Sequence, residues 1–261
     1  MPGTDLTEQP APLLKHDRDK GLAPADAMLW LRSGWADLVE QPGVSIIYGC
    51  GVFMLSVLTI AGLFFLAMDY LLLPAMAGFI VVGPLLALGL YQKSRLLEAR
   101  QTVALSEMVF VKPLSGAQVL FTGVILCGLV LLWMRAAVII YALFFGLHPF
   151  AGIDEFIPTL FLTWTGWAML FVGSCIGALF AAFSFAISTF SIPMLLDEKT
   201  DAFTAMGTSI SLVWNNLPVM IAWGCLVLGL TLLGLATAMI GLIVVFPLLG
   251  HATWHAYKAI R

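Results

Sequence analysis

The chain has 261 residues, of which 61% are hydrophobic and only 10% charged, with a formal net charge of −3. A soluble domain is about 45–50% apolar and about 25% charged, so this chain is not a water-soluble globule. Its charge balance also argues against a nucleic-acid partner, which would call for a basic face.

Residues 1–24 are polar and proline-containing, and they lack the short apolar core of a signal peptide. They are expected to form a disordered cytoplasmic tail. Residues 25–40 carry an apolar stripe (Ala27, Met28, Leu29, Trp30, Leu31, Trp35, Leu38, Val39) beside Asp26, Arg32, Asp37 and Glu40. The stripe is too short to span and reads as an amphipathic helix lying on the membrane. Gln41-Pro42-Gly43 ends it. Residues 44–68 form a first span, Asp69-Tyr70 a short turn with Asp69 as a cap, and residues 71–92 a return. Pro84 removes one backbone hydrogen bond there and predicts a kink.

Residues 93–112 read as a polar loop with a second amphipathic piece at 103–111. Residues 116–146 form a long apolar segment interrupted only by Arg135. Residues 147–158 read as a loop containing His148, Asp154, Glu155 and Pro158. The next apolar stretch, 159–196, exceeds one span and predicts tilt or an interfacial start around Trp164 and Trp167. Asp201 opens a third amphipathic helix reaching residue 215. Residues 219–235 and 238–257 then form a last hairpin. Cys50, Cys127, Cys175 and Cys225 lie apart in apolar runs and read as small packing residues.

One pattern recurs. Residues 75–95 and 238–261 align, with Gly78 on Gly241, Pro84 on Pro247 and Leu85-Leu86 on Leu248-Leu249. A weaker copy surrounds Pro193. The expected fold is therefore an all-α membrane protein of six transmembrane helices. They form three parallel hairpin repeats (25–92, 93–196 and 197–261), each preceded by a short amphipathic interfacial helix, in one domain spanning 25–261. Equal depths for Pro84, Pro193 and Pro247 would flare the bundle around a shared axis. Eleven of the twelve Lys and Arg fall on one face of this topology, with Arg135 the exception. The positive-inside rule then places both termini in the cytoplasm.

Few residues carry candidate chemistry. Arg135 lies about 28 Å beyond Gly116 along a helix at ~1.5 Å per residue, near the outer interface. There it can snorkel or pair with Asp154, Glu155 or Asp69. His251 and His255 share a helix face and could supply two metal ligands, but a metal needs a third. Beside Trp254 and Tyr257 they read more simply as an interfacial belt. Gly49, Gly51, Gly173, Gly177, Gly224 and Gly241 permit close helix approach. The sequence holds no nucleophile–base pair, zincin helix, P-loop or dinucleotide fingerprint. It implies no enzyme and no cofactor.

Four stretches together resemble one bacterial family: GWADLVEQP at 34–42, AGFIVVGPLLALGLYQKSR at 77–95, SIPMLLDEKTDAFTAMGTS at 191–209 and FPLLGHATWHAYKAI at 246–260. The family is the predicted integral membrane proteins called domain of unknown function 2189. The resemblance implies a six-span protein of the bacterial inner membrane with unassigned activity. Some members carry a label such as cytochrome c oxidase subunit I. A catalytic oxidase subunit needs about six histidines for its haems and copper. This chain has four in all, so the label implies at most association with a respiratory oxidase. The leading expectation is a non-enzymatic accessory, assembly or lipid- and partner-contacting protein of a membrane complex. The alternative is a small permease or channel with a path near Arg135 and the proline-kinked helices. A membrane enzyme acting on lipid ranks third.

Overall fold

The computed structural model describes residues 19–146 and 152–261, and among these it is helical throughout with no strand. The elements are α1 (Asp26–Val39), α2 (Pro42–Phe65), a 3₁₀ turn (Asp69–Leu71), α3 (Leu72–Leu86), α4 (Leu88–Glu98) and α5 (Leu105–Val109). They continue with α6 (Gly116–Phe145), α7 (Ile153–Leu162), α8 (Trp164–Asp197), α9 (Ala202–Asn215), α10 (Leu217–Ala236) and α11 (Leu242–Ile260). Five helical segments are long and apolar enough to cross a membrane: Pro42–Phe65, Asp69–Glu98, Gly116–Phe145, Trp164–Asp197 and Leu217–Ala236. The last helix falls short, because His251, Thr253, His255 and Lys258 fill its second half.

Packing is uneven along the bundle. At one end, which we call the head, α1, α4, α5, α9, the start of α2 and the ends of α8 and α11 close around one core. Trp223, Trp254, Tyr91 and Tyr257 are its largest fully buried side chains. Each such burial stabilises by roughly 1.5–3 kcal/mol where the alternative is water. Away from the head the helices thin out, and Leu143, Phe171 and Leu179 are exposed.

The head is organised on α11. Helix α1 lays Ala27, Trp30, Gly34, Asp37 and Leu38 inward. A Cβ on Gly34 would stand 2.5 Å from the Ala252 nitrogen, so glycine sets how closely α1 approaches α11. Gly49 admits the carbonyl of Ile243 in the same way, joining α2 to α11. The amphipathic helix expected to lie on the membrane is thus also a packing element. Its second face, with Met28, Leu29, Trp35 and Val39, stays exposed.

Several expectations need correction. The helix after Pro84 does not give way to a loop at Lys93. It breaks at Ala87 and resumes as α4 through Glu98, because Leu90, Tyr91 and Leu97 supply a buried stripe. Helix α7 occupies much of the stretch read as a loop at 147–158, with Pro158 inside it. Thr163 then separates α7 from α8 in extended backbone and caps α8, its Oγ1 accepting from the Gly166 N–H at 3.0 Å. The four cysteines are all exposed. They face outward as small apolar groups rather than packing between helices. Gly177 packs on Trp133, whereas Gly51 and Gly173 have nothing within 4 Å. The tail's first 18 residues, and His148, lie outside the described residues. Its described end is anchored, since the Lys20 N–H donates to Asn216 Oδ1 at 3.0 Å.

Candidate functional site

Helices α1, α2, α4 and α11 meet in the head, and each brings polar groups to the junction. The α1–α2 corner at Gln41-Pro42 turns the Gln41 carbonyl inward. One turn on, Ser45 follows. Helix α4 supplies Lys93 and Ser94, and α11 supplies His251. Ser45, Lys93, Ser94 and His251 are all completely buried.

Their hydrogen bonds form a continuous chain. Lys93 Nζ donates to the Gln41 carbonyl at 2.9 Å and to Ser45 Oγ at 2.8 Å. Ser45 Oγ lies 2.9 Å from His251 Nε2, and Ser94 Oγ lies 2.9 Å from His251 Nδ1. Both ring nitrogens of His251 are therefore engaged by hydroxyls, Nε2 by Ser45 and Nδ1 by Ser94. One helical turn on, His255 Nε2 and Asp37 Oδ2 are 2.8 Å apart, tying α11 to α1.

A second group of ties closes the C-terminus. Arg261 donates from Nε and Nη2 to the two oxygens of Glu198, both at 2.8 Å, and Tyr257 donates its hydroxyl to Glu198 Oε1 at 2.8 Å. The hydrogen bonds from Arg261 hold the Glu198 carboxyl below its ordinary 4.5, against burial, which pushes it up; the bond from Tyr257 adds to the lowering. Lys258 and Arg95 both reach Asp197, at 3.2 and 3.4 Å. Trp254 Nε1 donates to Glu98 Oε1 at 2.9 Å.

Chemically, Ser45 beside Lys93 resembles a nucleophile with its base. Yet Ser45 has no exposed surface, and its hydroxyl is engaged by both Lys93 and His251. The cluster is a cross-link of four helices. The Gln41 carbonyl and the Ser45 hydroxyl stand in for water around the buried Lys93 side chain.

The other sequence candidates fall elsewhere. Among the described residues, Arg135 is exposed on α6 and makes no ion pair with Asp69, Asp154 or Glu155. Asp154 and Glu155 are exposed in the first turn of α7, and Asp69 opens the 3₁₀ turn half-buried. His251 and His255 do share a face of α11, but hydroxyls take both nitrogens of the first and a carboxylate pairs with the second. A cavity of about 80 Å³ adjoins the head between α3, α4, α8, α10 and α11. Pro84 lines it, while Pro193, Pro247 and Arg135 are not among its lining residues. The last lining residue of α8 is Thr189, four short of Pro193, which is buried in the head. Both α8 and α11 run unbroken through their prolines.

Reading the sequence missed Lys93, Ser45 and Ser94. A signal was present: on a helix, Leu90, Lys93, Ser94 and Leu97 fall three or four apart, so the two polar residues share the apolar stripe.

The fold and this junction define an all-helical membrane protein with several spans and a polar-cored head at one end. Residues 72–197 match the model of the family described as predicted integral membrane protein, domain of unknown function 2189. The match runs from the first residue of α3 to the last of α8. It contains Lys93 and Ser94, whereas Ser45, Asp37, His251 and His255 lie outside it. No curated protein and no solved structure matches the chain.

Proposed function

We propose that the chain is a non-enzymatic accessory protein of a bacterial inner-membrane complex, working through its embedded faces. The observation that carries this reading is the contrast between head and spans. In the head, Lys93, His251, His255, Glu198 and Arg261 each have a partner within the chain, so the polar chemistry is spent on holding helices together. In the spans only 11–28% of each apolar window is buried. Large side chains on α6 and α8, such as Leu131, Leu132, Phe171 and Leu179, face outward and must be covered by lipid or by another protein.

The architecture we infer has six crossings in three hairpins. Helix α10 crosses away from the head, and α11 returns to pack on α1, α2 and α4. Its 19 residues reach about 28 Å at ~1.5 Å each. Its polar half is tolerated because those neighbours shield it from lipid. Among the described residues the head carries nearly all the Lys and Arg, which supports placing it on the cytoplasmic side with both termini.

Photo-crosslinking tests the function. A benzoylphenylalanine replacing Phe171 or Leu132 should trap a discrete membrane protein in native membranes. Crosslinks to lipid alone from both positions would refute the accessory role.

A further inference from the structure

Helix α6 carries a single charge along its 30 residues, on Arg135. The helix packs on α3 where Val130 meets Gly78, and on α8 where Trp133 meets Gly177. Its other face is bare. Val124, Gly128, Leu131, Arg135 and Val138 are all exposed, and they recur at alternating intervals of four and three residues. That spacing makes a seam on which a second helix packs. A Cβ on Gly128 would meet nothing within 4 Å, so no described part of this chain covers the middle of the seam. Glycine there also lets another backbone approach closely.

Depth decides what the seam meets. The residues that follow Arg135 in α6, Ala136 to Phe145, carry no charge. At ~1.5 Å per residue the helix is about 45 Å long, and Arg135 stands about 15 Å from its end. A hydrocarbon core of ~30 Å centred on α6 leaves the Arg135 backbone about 7 Å inside the boundary. Helical side chains lean toward the N-terminus of their own helix. Helix α6 starts beside the head, where the Ser115 N–H donates to the Leu195 carbonyl at 3.1 Å. Arg135 therefore leans toward the middle of the bilayer and away from the nearer surface, which works against reaching a lipid phosphate. A guanidinium among lipid tails is costly and calls for an anion at its own depth. A carboxylate matches its fork. Among the described residues Arg135 has no ion pair within the chain. A second copy offers no anion at that depth either, because the apolar stretches 42–65, 72–92, 116–145, 164–196, 217–236 and 242–260 contain no Asp or Glu.

We propose that the bare face of α6 docks a transmembrane helix of a different membrane protein, whose aspartate or glutamate pairs with Arg135 inside the bilayer. Gly128 sits two turns toward the head and admits that helix closely. This inference rests on the accessory reading and names the chemistry of the partner.

The test uses the full chain in vesicles of phosphatidylcholine and phosphatidylglycerol. The probes are leucine-alanine transmembrane peptides of about 20 residues, with Glu, Gln or Leu at the centre. Energy transfer between a labelled peptide and a label on the chain's C-terminus reads association. The Glu peptide should associate about tenfold more tightly than the Gln or Leu peptide. Arg135→Leu should erase that preference, with Arg135→Gln in its place if the thermal transition shows Arg135→Leu unfolded. Equal association of the three peptides with the wild-type chain, or a preference that survives in the Arg135 variant, would overturn the proposal. If Arg135 holds a lipid phosphate instead, the peptides bind alike and the variant retains less phosphatidylglycerol in native mass spectrometry, which also overturns it. The accessory reading fails separately: crosslinks from Phe171 and Leu132 to lipid alone would refute it whatever the peptides do.

Discussion

Replacing Lys93 by methionine keeps the length of the side chain and removes only the ammonium. Two hydrogen bonds from a charged donor are lost, to the Gln41 carbonyl and Ser45 Oγ. Such bonds contribute about 1.5–3 kcal/mol each, or about 3–6 kcal/mol together. The variant no longer buries a charge, which offsets several kcal/mol of that loss. A buried carbonyl and hydroxyl are left short of a donor, which costs about 1–3 kcal/mol apiece. We expect a net destabilisation of about 3 kcal/mol, roughly a hundredfold in the unfolding equilibrium. Unfolding by SDS in mixed micelles, followed by tryptophan fluorescence, reads this directly, because Trp30, Trp223 and Trp254 are buried in the head. Ser45→Ala in the Lys93→Met background should cost less than in wild type, with a coupling above about 1 kcal/mol. A Lys93→Met variant within about 0.5 kcal/mol of wild type, or strict additivity with Ser45→Ala, would show that the ammonium does not hold the four helices together.

Other outcomes follow from the same contacts. Gly34→Val should loosen α1 from α11 and destabilise the head by about 1–3 kcal/mol, seen as proteolysis near residue 40. Because the Glu198 carboxyl is held below its ordinary 4.5, the stability it contributes is present above that value and lost as pH falls through its lower folded value. Glu198→Gln should therefore remove the acid-side rise in hydrogen exchange over residues 255–261. His255→Ala should weaken the tie to Asp37 and raise exchange in α1, while leaving the transition measured for α6 unchanged. In a cysteine-free background, Leu66→Cys should label with an impermeant thiol reagent in intact cells, and Gly3→Cys should stay shielded. The reverse pattern would overturn the orientation.

The membrane class and most span boundaries were legible because apolar runs of spanning length have few alternatives. The run at 116–146, for instance, is α6 almost to the residue. The Asp201 cap was legible too, and its side chain accepts from the Thr204 N–H at 2.9 Å. What the sequence obscured was burial outside the spans. Lys93 looks like the first cytoplasmic charge after a helix, and only the arrival of α11 from far along the chain makes it a core residue. Ser45 is one serine among many until lysine and histidine close on it. The glycine at 34 has meaning only through Ala252. The family resemblance extended in sequence to 34–42 and 246–260, whereas the matched region is 72–197. The proline repeat was read from spacing, and spacing does not report that Pro193 sits in the head while Pro84 borders the cavity.

The account turns on whether the embedded faces meet another protein. Mild-detergent purification from the native membrane, with quantitative mass spectrometry of what accompanies the chain, measures this most directly. The account predicts one integral membrane protein at near-unit stoichiometry, lost when Phe171 and Leu179 are both changed to alanine. Elution of the wild-type chain alone, with lipid as its only companion, would contradict it.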